Sequence, residues 1–166
     1  MKGGIVIKKP LVIVLVVILI LAIILGIVFV SLNKEKTSIS ANDFKSSMQG
    51  KGYIIQDATS QFSSYDYIEQ VYLAISNEYS YQIEFYVLSD EAYATSFYNN
   101  NKSNFESSKG DVAAETNASL KNYSKYTLSS NNKYSVVSRI DNTVIYLNVD
   151  SSYKDTVKDL LDELGY

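Results

Sequence analysis

From Gln70 to Leu88 the chain alternates between apolar and polar positions. Val71, Leu73 and Ile75 are separated by Tyr72 and Ala74. After the polar stretch NEYS, Tyr81, Ile83, Phe85 and Val87 alternate with Gln82, Glu84 and Tyr86. A period of two marks a strand with one buried face, and two such runs around a short polar turn predict an antiparallel hairpin. YSKYTLSS, KYSVVSR and TVIYLNV predict three more strands, with turns at Asn131-Asn132 and Asp141-Asn142. A further strand is expected from Tyr53 to Ala58.

Three segments carry helical signals. Ser40 and Asp43 form a capping-box-like start, Phe44 and Met48 share one helical face, and Gly50 and Gly52 end the run. Ser89 and Asp90 can cap a second helix with Tyr93, Phe97 and Phe105 as a rough stripe. The third is the clearest: Tyr153, Val157, Leu160, Leu161 and Leu164 fall on one face, and Gly165 follows. Residues 107–120, SSKGDVAAETNASL, read as a mobile loop with a turn of helix. The predicted order is α-βββ-α-βββ-α, an α+β domain with a mainly antiparallel sheet and about three helices. QIEFYVLSDEAY (82–93) and NTVIYLNVDSSY (142–153) align Tyr86, Asp90 and Tyr93 with Tyr146, Asp150 and Tyr153. They suggest a pseudo-repeat of one strand-cap-helix unit.

Residues 11–32 lack charge and alternation alike. As a helix these 22 residues reach roughly 33 Å, enough for a hydrocarbon core of about 30 Å. The run is too long for a cleaved signal and ends without an A-x-A site. The expected layout is a short cytoplasmic tail over 1–10, a single-pass transmembrane signal anchor over 11–32, a linker over 33–39 and an extracytoplasmic domain over 40–166. The lysines flanking the run (Lys2, Lys8 and Lys9 before it, Lys34 and Lys36 after it) are nearly balanced, so the short tail and the composition of the domain orient it. The partners expected are membrane lipid along 11–32 and an unknown protein or cell-envelope component. Ala22 and Gly26 form a small-xxx-small pair, the spacing used by packed membrane helices, and a helix-mediated homodimer is the weaker expectation. This layout resembles that of small single-span proteins with one extracytoplasmic domain at bacterial surfaces.

Composition narrows the chemistry. The 166 residues include no His, Cys or Trp. Disulfides, thiolate and imidazole metal sites and histidine general bases are therefore excluded. From Thr37 onward there are 10 basic and 17 acidic residues, a net charge of 10 − 17 = −7, which disfavours nucleic acid. Ser151 and Lys154, like Ser31 and Lys34, match S-x-x-K, but the K-T-G element of the acyl-enzyme signature is missing. Asp155, Asp159, Asp162 and Glu163 share the last helix with Lys158, an arrangement that reads as a solvated ionic face. No catalytic, metal or cofactor residue is assigned.

The fifteen tyrosines are the remaining lead. Tyrosine combines rigid contact area with a polar tip and is common at binding surfaces. Tyr72 and Tyr86 fall on the polar side of the predicted hairpin, and Tyr65 and Tyr67 in the loop before it. Arg139, the chain's one arginine, is a candidate for a carboxylate ligand. These five form the expected contact surface. The function expected is a membrane-anchored, extracytoplasmic, non-catalytic interaction or sensing module. The alternatives are a cell-surface enzyme using carboxylate, Tyr or Lys chemistry and a structural subunit of a membrane complex.

Overall fold

The computed structural model describes residues 9–32, with side chains over 16–28, and residues 35–166. The expectations for Lys2 and Lys8 in the tail, for residues 33–34 of the linker and for the Ser31–Lys34 pair lie outside the described residues. The chain divides into two compact units, residues 1–34 and 35–166.

The first unit is, among the described residues, the helix α1 (Lys9–Leu32). Among the described residues no helix is long and apolar enough to cross a membrane. The expected transmembrane span over 11–32 is therefore corrected to an apolar helix.

The second unit holds α2 (Ala41–Gly50), β1 (Ile54–Asp57), β2 (Ile68–Ile75), β3 (Gln82–Leu88), α3 (Glu91–Ser107), β4 (Ala113–Ser119), β5 (Tyr123–Ser130), β6 (Lys133–Ile140), β7 (Thr143–Asp150) and α4 (Lys154–Glu163). The strands make one seven-stranded sheet in the order β1-β2-β3-β7-β6-β5-β4. Every pairing in it is antiparallel. The α+β class stands, with four helices when α1 is included.

β4 replaces the loop expected over 107–120, so the second strand group has four members. Its sequence, AAETNAS, has no apolar alternation and is mostly exposed. Pairing with β5 along its whole length makes it a strand, and side-chain bonds across the pair reinforce it. Thr116 Oγ1 lies 2.8 Å from Thr127 Oγ1. Tyr126 donates to Glu115 at 2.8 Å.

Register decides where the core goes. Val71 lies opposite Tyr86 and Tyr72 opposite Phe85. Opposed residues share a face, so the apolar side of β2 continues into the supposedly polar side of β3. Neither side of the sheet is left bare. On one, α2 and α4 bring Phe44, Met48, Val157, Leu160 and Leu161 onto Phe85, Ile145 and Leu147. The rings of Phe44 and Phe85 stack at 4.6 Å. On the other, α3 brings Ala94, Tyr98 and Phe105 onto Val71, Tyr86, Leu88, Val137 and Val144. Each such aliphatic or aromatic side chain contributes roughly 1.5–3 kcal/mol on burial.

The segment before α2 joins the same unit. Lys36 donates its backbone N–H to Asn122 Oδ1 at 2.9 Å and accepts from Asn122 Nδ2 at 2.7 Å. The Lys36 ammonium sits 3.9 Å from the centre of the Tyr123 ring, a cation–π contact.

Candidate functional site

The five expected contact residues part company. Tyr72 is 7 % exposed, Tyr86 4 % and Arg139 5 %. They are corrected from surface to interior positions, because helices cover both faces of the sheet. The Tyr72 hydroxyl accepts from Gln70 Nε2 at 2.9 Å. Tyr86 lies between Phe62 at 5.6 Å and Phe97 at 4.6 Å, ring centre to ring centre. Its hydroxyl donates to Glu84, and burial, with that bond, pushes its phenol up from the ordinary value. Arg139 is held from within the domain. Its Nη1 donates to Glu91 Oε1 at 2.8 Å and to the Asp141 carbonyl at 3.1 Å, tying β6 to the first turn of α3.

Tyr65 and Tyr67 remain near the surface, and the structure adds a third ring. A 3₁₀ turn, Thr59–Phe62, follows β1. The loop after it is pinned by Tyr65 N–H to Phe62 O and Ile68 N–H to Tyr65 O, both 2.9 Å. Ser89 N–H to Tyr67 O at 3.0 Å fastens the loop to the β3–α3 junction. Asp90 caps α3 by accepting from Tyr93 N–H at 2.9 Å, which fixes Tyr93 in the first turn beside the loop. Tyr67 and Tyr93 stack at 4.9 Å with 11° between ring planes. Tyr65 meets Tyr67 edge-on at 5.7 Å and 61°. Ser64, Tyr65, Asp66, Tyr67, Ser89 and Tyr93 line an open cavity of about 360 Å³. Tyr65 and Tyr93 are each nearly half exposed, at 48 % and 46 %.

The rings are packed against one another and against the core. Phe62 touches both Tyr65 (6.5 Å) and Tyr86, so an aromatic chain runs from the surface into the core. Among the described residues Asp66 is the one charged residue in the lining. The cavity thus offers ring faces and a carboxylate, with no lysine or arginine beside them.

Tyr93 was expected to begin a core-facing stripe. The buried positions of α3 are Ala94, Tyr98 and Phe105: Phe105 lies in the core as expected, Phe97 packs partly buried against it, and Tyr93 falls outside. The signal was present in Ala94, a small residue able to lie close against the sheet. A second tyrosine group, Tyr53, Tyr81 and Tyr153, lines a cavity of about 330 Å³ at the β2–β3 turn. There the Tyr53 and Tyr81 hydroxyls are 2.7 Å apart, and burial pushes the Tyr53 phenol up. Ser151 and Lys154 do not assemble as a reactive pair: Lys154 Nζ reaches Ser129 Oγ at 3.2 Å. On α4, Asp162 lies 3.6 Å from Lys125, and Glu163 pairs with Lys51.

No protein-family model matches the chain, and no curated protein or solved structure matches it.

Proposed function

We propose that the domain is a non-catalytic interaction module, and that Tyr65, Tyr67 and Tyr93 with Asp66 receive Lys or Arg side chains of a protein partner. The observation that carries this reading is the pinned, half-exposed aromatic cluster with a lone carboxylate in its lining. Ring faces attract ammonium and guanidinium groups, by about 0.5–1 kcal/mol each at exposed sites, and a nearby carboxylate adds to the attraction. The net charge of −7 from Thr37 onward, 10 basic against 17 acidic residues, favours a basic partner over the whole domain surface. The phenols of Tyr53, Tyr86, Tyr126 and Tyr166 are all pushed up by burial, away from the ionised form that tyrosine nucleophiles or bases need. That supports binding over tyrosinate chemistry.

The test is an NMR titration of the full-length chain with an Arg-rich hexapeptide, followed on tyrosine ring signals. Saturable shifts of Tyr65 and Tyr93 are expected, weakened several-fold by Tyr93→Ala and by raised salt. An equal affinity for Tyr65→Ala/Tyr93→Ala and the parent chain would overturn the assignment.

A further inference from the structure

The opposite face of the sheet carries a second site of reverse charge. α4 does not reach across the edge of the sheet, and a groove of about 350 Å³ lies between it and β4–β5. Lys125 from β5 and Lys154 and Lys158 from α4 line it, above a floor that includes Thr116, Thr127 and Ser129. The antiparallel register creates this floor by placing Thr116 opposite Thr127 and Ala114 opposite Ser129. In a domain with a negative net charge, three lysines on one groove are a local reversal of sign.

The lysines differ in what already holds them. Lys125 is the deep one, its side chain 15 % exposed. It donates to the Tyr166 carbonyl at 3.0 Å and lies 3.6 Å from Asp162, a residue that is itself largely exposed. Lys154 sits 5.4 Å from the Tyr134 ring centre and donates to Ser129. Among the described residues neither Lys154 nor Lys158 has an ion-pair partner. Glu115, also in the lining, is engaged by Tyr126 at 2.8 Å and by Lys109 at 3.2 Å. Asp155 and Asp162 act on Tyr134 from α4, so the groove is positive without being uniformly so. Burial lowers the Lys125 pKa; Asp162 opposes that shift and Lys158 adds to it.

We propose that this groove binds a small anionic, hydroxyl-rich ligand, of the sugar-phosphate or sugar-acid class. Lys154 and Lys158 hold the phosphate or carboxylate through charge-assisted hydrogen bonds. Thr116, Thr127 and Ser129 meet the ligand hydroxyls. A bare anion uses only the lysines, and a neutral sugar only the hydroxyl floor.

The experiment is calorimetric titration of the full-length chain, in low salt, with glucose 6-phosphate, glucuronate, glucose and inorganic phosphate. At least one of the two anionic sugars is expected to bind about tenfold or more tightly than glucose and inorganic phosphate. The two arms separate a phosphate from a carboxylate as the recognised group. Lys154→Met/Lys158→Met should lose about tenfold or more of that affinity with an unchanged melting temperature, while Lys45→Met on α2 binds as the parent does. Inorganic phosphate binding as tightly as the better sugar, no binding by either sugar, or full affinity in the double variant would each overturn the assignment.

Discussion

The β3–α3 and β7–α4 units share a spacing and end on opposite sides of the sheet. β3 and β7 are antiparallel neighbours, with Phe85 opposite Ile145 and Tyr86 opposite Val144. A two-fold axis normal to the sheet would relate such strands and put both following helices on one face. Instead α3 packs with Tyr86 and Leu88, and α4 packs with Ile145, Leu147 and Val149. The divergence begins just before the caps. In LSD the last apolar residue, Leu88, points to the α3 face; in NVD it is Val149, on the α4 face, while Asn148 is exposed. The caps differ too. Asp90 is fully extended at φ −156° and α3 starts at the next residue, whereas Asp150 has φ −61° and leads into a 3₁₀ turn, Ser151–Tyr153. A one-residue change in apolar phase thus sends equal spacing to unequal places.

This comparison is open to mutation, from large effects to small. Phe105→Ala removes a buried ring stacked at 5.3 Å on Tyr146, and Leu161→Ala empties the centre of the α4 contact. Losses of about 3–5 and 2–5 kcal/mol are expected in urea unfolding, and they should add, since the two sites lie on opposite faces. Strong coupling between them would show that the two cores are not separate.

The matched tyrosines should then separate. Tyr153 packs on the α4-side core and lies 4.7 Å from Tyr81, whereas Tyr93 is nearly half exposed. Tyr153→Ala is expected to cost about 1–2 kcal/mol and Tyr93→Ala clearly less, while only Tyr93→Ala weakens peptide binding. Equal costs would restore equivalence to the repeat.

Asp90→Ala deletes the acceptor for Tyr93 N–H and should cost about 1 kcal/mol of stability. The smallest effect belongs to Asp150. Its carboxylate accepts from Ser152 N–H and Oγ, which holds its pKa below the ordinary value. The stabilisation is therefore present above the unfolded value of about 3.9 and is lost as pH falls through the lower folded value. Asp150→Asn should flatten the acid limb of a stability–pH profile by slightly lowering stability at neutral pH, with stability below the folded pKa nearly unchanged.

Much of the fold was legible in local pattern. The hairpin, the three later strands, the caps at Ser40 and Asp90 and the α4 stripe follow from periods of two and 3.6 and from residues that hydrogen-bond backbone at helix starts. β4 was not legible, because an edge strand of Ala, Glu, Thr, Asn and Ser owes its conformation to β5 and not to its own composition. Tyr72 and Tyr86 were misplaced although the clue was in the chain. The apolar phases of β2 and β3 disagree, and a sheet with disagreeing phases must be covered on both sides. Tyr65 and Tyr67 were found as loop tyrosines; Tyr93 was missed because its partners come from the 3₁₀-turn loop. The lysine groove was missed for the same kind of reason, since Lys125, Lys154 and Lys158 meet only when α4 lies on the sheet.

The amino-acid sequence by itself determined the strands with an apolar period, the helix starts, the acidic balance and the exclusion of histidine and cysteine chemistry. These are properties of neighbouring residues or of composition. Strand order, the face chosen by each helix, the pairing of β4 and the two clusters of surface chemistry were decided only by tertiary structure. They depend on register between strands far apart in the chain, and a shift of one residue in that register moves every side chain to the other face.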